Sequence, residues 1–229
     1  MTGVQTCALP ISDLRYSVKF HRPAGNFAMK QICDIPNKKL KHFISEPIVL
    51  GASISPKDYD SCGKTAYISM ATIKNWEFDY DNAAKVSDNY ASNKTLKTIK
   101  KNDIILARSG EGTIGKVALI SCGDNLAVFS DFTMRIRFDQ NKYNPKFAYY
   151  YFRTKFFQYL IEIYKKGLGN NTNIFPIAVQ EFRIPDISLS EQQNIINKIE
   201  KTITEQNKIK QQIANYRNQI DEIILATVN

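Results

Sequence analysis

Residues 103–120 read DIILARSGEGTIGKVALI, a polar glycine-containing loop between two apolar runs. Both flanking runs are typical of β-strands, so the stretch predicts a hairpin whose polar tip is available to a partner. The tip residues singled out as contacts are Arg108, Ser109, Glu111, Thr113 and Lys116.

The same loop spells G-x-G-x-x-G at Gly110, Gly112 and Gly115. In a dinucleotide-binding unit the third glycine opens a helix, whereas here a strand-like run starts at Val117. A protein kinase loop would accept strands on both sides, but the sequence contains neither H-R-D nor D-F-G. We therefore favour a hairpin tip, and an enzyme that binds nucleotide through residues 110–115 stays the alternative.

The positive charge is unevenly distributed along the chain. Its 229 residues carry a net charge of +9, but residues 189–229 hold five Lys or Arg against five Asp or Glu. A hydrophobic content of 43% is enough for a core. A basic globular part with a neutral tail predicts that the first meets a polyanion and the second meets protein. Solubility alone is the alternative reason for the charge.

Cysteine and apolar patterns indicate a cytoplasmic protein with no metal site. The four cysteines are scattered, and no histidine stands at metal-ligand spacing from them. No apolar run reaches the ~18 residues that span a bilayer, so no membrane association is expected. Residues 1–13 differ in character from the rest and are interpreted as a non-native segment.

Several further elements are expected upstream of the tail. Strands are predicted at Ala66–Ile73 and Trp76–Tyr80, followed by a turn-like segment at Asp79–Leu96. A second strand pair is predicted from Ala127–Phe129 and Thr133–Phe138. In the latter, apolar residues alternate with Arg135 and Arg137, which predicts one apolar and one basic face.

A helix is predicted from Asn144-Pro145 to about Lys166, because asparagine caps a helix and proline suits its first turn. Residues at steps of three and four form an aromatic stripe that is expected in the core. They are Tyr149, Phe152, Phe156, Leu160 and Ile163.

The loop after this helix, KKGLGNNTNIF at 165–175, combines lysines, glycines and asparagines. Lysines neutralise phosphates and asparagine amides hydrogen-bond base edges, although a surface turn uses the same residues. The candidate contacts are Lys165, Lys166, Asn170, Asn171, Thr172 and Asn173. A lysine cluster at 94–101 faces either solvent or phosphate, and Lys100 and Lys101 from it are added as phosphate contacts.

Residues 188–229 predict one long helix of roughly 60 Å at 1.5 Å per residue, without an internal proline or glycine. An apolar stripe on so long a helix needs a partner, and its three-residue steps favour a short bundle over a regular zipper. The stripe comprises Ile196, Ile199, Ile203, Ile209, Ile213, Tyr216, Ile220 and Ile223.

In this order, the segments resemble one half of the specificity subunit of type I restriction-modification systems. The resemblance covers about residues 14–229 and depends on YISMATI (67–73), KNDIILARSGEGTIGKVALI (101–120), NPKFAYYYFRTKFFQYL (144–160), GLGNNTNIF (167–175) and FRIPDISLSEQQNIINKIE (182–200).

The resemblance implies a mixed α/β fold: a DNA target-recognition domain at 14–187, with a curled, mainly antiparallel sheet and flanking helices, and a long helix at 188–229. It implies a non-catalytic subunit that recognises one half of a bipartite site in double-stranded DNA. The helix would dock methyltransferase subunits and a second half-subunit or a homodimer partner, with the restriction/translocase subunit joined through the complex. No cofactor is expected on this chain, because S-adenosylmethionine, ATP and magnesium would belong to the partner subunits. A coiled-coil adaptor with an incidental basic domain is the remaining alternative.

Overall fold

The computed structural model describes residues 23–110, 112–121, 123, 126–168 and 171–228. The segment interpreted as non-native, residues 1–13, lies outside this part. The chain divides into two compact units, one through Leu189 and the other from Ser190.

The helices of the described part are unequal in length. They are α1 (Pro23–Cys33), α2 (Asp88–Ser92), α3 (Pro145–Phe152), α4 (Lys155–Tyr164), α5 (Pro176–Val179) and α6 (Leu189–Val228).

The strands are short. They are β1 (Asn37–Lys39), β2 (Val49–Leu50), β3 (Thr65–Ile68), β4 (Ile73–Lys74), β5 (Glu77–Phe78), β6 (Lys85–Val86), β7 (Ile104–Ala107), β8 (Val117–Leu119), β9 (Ala127–Phe129), β10 (Thr133–Ile136) and β11 (Arg183–Pro185).

Strand pairing confirms the mixed α/β class and its mainly antiparallel character. The largest sheet is antiparallel, in the order β2-β10-β7-β8. A second sheet has the order β6-β3-β9, with β3 and β9 parallel. Two further antiparallel strand pairs join β1 to β11 and β4 to β5. The hairpin predicted around the glycine loop is confirmed, because Ile104 pairs with Leu119 and Leu106 with Val117.

The predicted pairing of Ala127–Phe129 with Thr133–Phe138 is wrong. A tight turn, in which the Thr133 amide donates to the Ser130 carbonyl, separates β9 from β10 and sends them into different sheets. Each strand is buried on both faces, so each needs neighbours that the short turn does not supply.

The upstream strands are shorter than predicted. The run 66–73 is interrupted by a 3₁₀ turn at Met70–Thr72, where the Thr72 hydroxyl donates to the Ser69 carbonyl. The segment 79–96 also holds regular structure, namely β6 and α2, and the Ser87 hydroxyl caps α2 by accepting from the Tyr90 amide.

The single helix predicted over 144–166 is two helices. Asn144 caps α3 as predicted, but the chain leaves helical geometry at Thr154, whose hydroxyl accepts from the Phe157 amide and caps α4. This break shifts the helical phase. Phe157 is fully buried and stacks on Phe152 at 4.1 Å between ring centroids, whereas Phe156, expected in the core, is 39% exposed.

The basic face predicted on the 133–138 strand is internal. Arg135 is buried. Its guanidinium forms an ion pair with Glu46 and donates a hydrogen bond of 2.5 Å to the Thr98 carbonyl. Arg137 forms a bidentate pair with fully buried Asp103, with Nε and Nη2 at 2.6 and 2.7 Å from its oxygens. The apolar face is confirmed, since Met134, Ile136 and Phe138 are buried.

Helix α6 forms the second unit and extends over 40 residues. Its length is about 60 Å at 1.5 Å per residue, as the sequence predicts. No helix in the described ranges is both long and apolar enough to cross a membrane.

Candidate nucleic-acid interface

The glycine loop is a closed turn at the end of β7 and β8. Gly110 and Gly115 adopt φ of 80° and 85°, a region that glycine enters without strain. The loop is also fixed to α4, because the Gln158 side chain donates to the Gly115 carbonyl at 2.8 Å. The Thr113 hydroxyl donates to the Ser109 carbonyl at 2.7 Å. These contacts make the tip part of the packed domain.

Five amides of the glycine loop are hydrogen-bonded within the protein. The N–H groups of Gly110, Thr113, Ile114, Gly115 and Lys116 all donate to backbone carbonyls within 3.3 Å. A phosphate-binding loop requires amides that are free to donate to the anion. This arrangement therefore argues against the nucleotide-binding alternative. In the described part of the chain, no group of three or more His, Cys, Asp or Glu is placed to hold a metal ion.

The loop that begins at Lys165 and ends at Phe175, which we call the asparagine loop, lies directly against the hairpin tip. Asn173 bridges to Ser109 on one side and to Lys166 on the other. The bonds that hold it run from the Ile174 amide to the Arg108 carbonyl at 2.9 Å and from the Asn173 amide to the Lys166 carbonyl at 2.7 Å. Two segments that are about sixty residues apart in sequence thus form one surface, which we call the tip–loop surface (residues 108–110, 112–116, 165–168 and 171–173).

Glycine is required where this loop turns. Gly167 has φ of 102°, and a Cβ at this position would lie 2.3 Å from the Asn171 carbonyl oxygen. Any side chain would therefore force the backbone apart in addition to the unfavourable dihedral.

Several predicted contact residues have internal roles in this surface. Ser109 and Thr172 are buried, with exposures of 6% and 4%. The Arg108 Nε donates to the Asp131 carbonyl at 2.7 Å, and its guanidinium lies 5.5 Å from the Phe175 ring centroid. Lys165 pairs with Glu162 at 2.7 Å, and only 9% of its side chain is exposed. These four residues shape the surface, and direct DNA contact by them stays a prediction.

Other predicted residues do face solvent. Lys166 and Asn171 are exposed, while Lys116 and Asn173 are half-buried. Neither lysine forms an ion pair with the residues that the structure describes. Glu111 and Asn170 lie outside the described residues.

Lys100 and Lys101 lie near the first residue of β7, whereas the hairpin tip follows its last residue. Arg108 follows Asp103 by five residue steps, roughly 16 Å at 3.3 Å per strand residue. Both lysines are exposed on a turn that is closed by the Asp103 amide donating to the Lys100 carbonyl at 3.0 Å. The Asp103 carboxylate, in turn, accepts from the Lys100 amide at 2.6 Å and raises the pKa of Arg137 through its hydrogen bonds.

The groups that hold these basic residues in place have no local signal in the sequence. Asp131 and Phe175 fix Arg108, and Asp103, Glu46 and Arg137 fix the lysine turn. The alternation over 133–138 placed Arg137 opposite the apolar face, but no local signal paired it with a carboxylate 34 residues away.

The predicted helix-interface residues all lie on α6. Ile209, Ile213, Tyr216, Ile220 and Ile223 are each about half exposed or more and recur at steps of four and three. In the first half of the helix Ile199 and Ile203 are half-buried, whereas Ile196 is buried within the chain, with 1% exposed, and is not available to a partner. An interface role for this stripe stays a prediction.

The fold is similar to those of several solved structures. A protein studied for complex assembly and conformational transition of the type I R-M system matches with a TM-score of 0.60 at 14% identity, over 86% of this chain and 48% of that one. The HsdS subunit from Thermoanaerobacter tengcongensis matches with a TM-score of 0.54 at 13% identity, over 81% and 44%. The S subunit from M. genitalium matches with a TM-score of 0.50 at 17% identity, over 72% and 37%.

The chain thus spans less than half the length of each of these structures. No curated protein shows a significant sequence match to it. The family model described as type I restriction modification DNA specificity domain matches residues 27–216, which include both the hairpin and most of α6. The chain therefore belongs to the family of type I restriction-modification DNA specificity domains.

Proposed function

We propose that this chain is a sequence-specific DNA-binding half of a specificity subunit, and that it recognises one part of a bipartite site without catalysing a reaction. The observation that supports this proposal is the tip–loop surface, in which half-buried Lys116 and exposed Lys166 flank asparagines on a packed framework, in a chain of the DNA specificity family. Arg, Lys and Asn are the residues that position phosphates and read base edges in protein–DNA complexes.

The order of segments across this surface suits a duplex. Lys116, the Arg108–Ser109 segment, Asn173 and Lys166 lie on successive neighbouring segments. Three spacings of ~4.8 Å separate the backbones that carry the two lysines by roughly 14 Å. The major groove of B-DNA is ~12 Å wide. The lysines would therefore contact phosphates on either side of the groove, and the asparagines would face the base edges between them.

The partners follow from the same proposal. The exposed stripe of α6 would pack against a second half-subunit or a homodimer partner and would dock methyltransferase subunits, because apolar residues at steps of three and four need a helical partner. The restriction/translocase subunit would join through this complex. Such a role places the protein with DNA in the cytoplasm.

The test is duplex binding by the Lys116→Ala/Lys166→Ala double variant in assembled complex with its methyltransferase partner. Each phosphate contact contributes ~0.9 to the slope of log affinity against log salt. We expect the slope to fall by about 1.8, measured by fluorescence anisotropy between 50 and 200 mM salt.

Lys142→Ala is the matched control, since Lys142 is an exposed lysine that pairs with Asp139 at 2.9 Å. Its salt slope should equal that of the wild type. An unchanged slope in the double variant would remove the tip–loop surface from the DNA interface, and no binding of any duplex by the wild-type complex would refute the proposed function.

A further inference from the structure

A second site lies away from the tip–loop surface, at the lysine turn. We infer that a cleft of about 270 Å³ beside the β4–β5 hairpin binds an unpaired nucleobase of a DNA strand, with the neighbouring phosphate on Lys100 and Lys101. This inference rests on the proposed DNA-binding function, and it adds a contact that reads a base outside the duplex. We call this cleft the Trp76 cleft.

The walls of the Trp76 cleft are suited to a flat ring. Four aromatic side chains line it together with aliphatic ones, namely Trp76, Phe78, Tyr80, Tyr149, Ile99 and Leu119. Pockets for drug-sized ligands measure about 300–1,000 Å³, so this smaller cleft fits one planar ring system. Proteins hold unstacked bases by stacking them on aromatic side chains.

Trp76 is held in an unusual backbone conformation at this cleft. Asn75 and Trp76 both have positive φ, 51° and 70°, which a bulky residue rarely adopts. The Tyr149 hydroxyl donates to the Trp76 carbonyl at 2.9 Å, and the Arg153 guanidinium lies 5.7 Å from the Trp76 ring centroid. Positive φ at both central residues is what the two-residue turn between β4 and β5 requires, so the hairpin itself fixes Trp76 at the cleft.

The lysine turn adjoins the same cleft. Ile99, which lines the cleft, precedes Lys100, and the Asn102 amide donates to the carbonyl of Ile120, another lining residue, at 2.8 Å. Lys100 and Lys101 are both exposed, so a nucleotide whose base enters the cleft would find two cations for its phosphate. A cationic side chain of a protein partner would meet repulsion at the same lysines.

The polar groups of the cleft indicate which base it takes. Glu77 and Ser121 line it, and both are exposed. A carboxylate accepts hydrogen bonds from exocyclic amino groups, which adenine, cytosine and guanine carry and thymine lacks. The chemistry therefore favours a base with an amino group over thymine.

The full chain contains its own reporter, because Trp76 is its only tryptophan. Single-stranded oligo(dA), oligo(dT) and an abasic strand of equal length would be titrated against the protein while Trp76 fluorescence and strand anisotropy are recorded. We expect oligo(dA) to quench Trp76 more strongly than oligo(dT), and the abasic strand to bind through its phosphates without quenching.

Two variants separate base binding from phosphate binding. Ser121→Phe fills the cleft from an exposed position, and we expect oligo(dA) to bind it about 5- to 150-fold more weakly, the range for losing one base–aromatic stack. Lys100→Ala/Lys101→Ala should lower the salt slope by about 1.4, at ~0.7 for each single-strand phosphate. Lys208→Ala, on α6, is the exposed-lysine control and should change neither quantity.

The quenching results can overturn the inference in several ways. Equal quenching by the abasic strand, or full quenching of Ser121→Phe by oligo(dA), would overturn the inference. Quenching by free dAMP at the concentration that oligo(dA) requires would assign the cleft to a mononucleotide instead of a DNA strand and would also overturn it. Wild-type duplex binding with no quenching by any strand would reject the Trp76 cleft and leave the proposed function intact.

Discussion

Replacing Asp103 by asparagine should destabilise the recognition domain by about 3 kcal/mol. Asp103 is fully buried, and its carboxylate binds Arg137 through two bonds of 2.6 and 2.7 Å. Removing one partner of a buried ion pair costs about 3–5 kcal/mol, because the other charge is left uncompensated. We expect the lower end, because Arg137 keeps its contact with Glu46 at 2.9 Å and 18% of its side chain is exposed.

The free energy of unfolding would be measured by urea titration of Trp76 fluorescence, and the thermal midpoint by circular dichroism. A loss of about 3 kcal/mol corresponds to a midpoint roughly 6–12 °C lower for a domain of this size. Asp186→Asn is the matched control, because Asp186 pairs with the exposed Lys38 at 2.9 Å and such pairs contribute about 0–1 kcal/mol. A loss below about 1 kcal/mol for Asp103→Asn would refute the structural role assigned to the pair.

Three further predictions concern the fold. Phe157→Ala should lower the free energy of unfolding by about 3–5 kcal/mol, because Phe157 is fully buried. Phe156→Ala should lower it much less, because Phe156 is 39% exposed. Equal losses in urea titrations would contradict the helix break at 153–154. Gly167→Ala should lower the thermal midpoint and weaken duplex binding, because its Cβ would collide with the Asn171 carbonyl; a wild-type midpoint would argue against the tight turn. Hydrogen bonds from Lys39 and Lys41 hold the pKa of Glu181 below its ordinary value. Its contribution to stability is therefore present above the unfolded pKa of ~4.3 and is lost as pH falls through the folded value, so Glu181→Gln should flatten the acid limb of stability against pH.

Local signals in the sequence were reliable where neighbouring residues decide the structure. The strand–glycine–strand run over 103–120 forms the predicted hairpin, Asn144 caps the predicted helix, and Leu189–Val228 forms one helix. The break at Arg153–Thr154 escaped detection, because a continuous apolar periodicity hides a cap that depends on one threonine hydroxyl.

The assignment of DNA contacts from sequence was harder, because it depends on which side chains are free. Lys165 and Lys166 are adjacent in sequence, yet Glu162 pairs with the first while the second is exposed. Lys100 and Lys101, predicted as phosphate contacts along with the tip, lie at the opposite end of β7 from it.

By itself, the sequence determined the hairpin, the long terminal helix and the family resemblance, since strand alternation, helix periodicity and turn glycines act over a few residues. Only the tertiary structure decided which charged side chains form ion pairs inside the domain. Arg135 and Arg137 look like a basic face in the sequence, but carboxylates 89 and 34 residues away bind them inside the domain. The tertiary structure also joined the hairpin tip to the asparagine loop and placed the lysine turn beside Trp76. These contacts join segments that are distant in the chain, and their free energy depends on burial and geometry that no local pattern encodes.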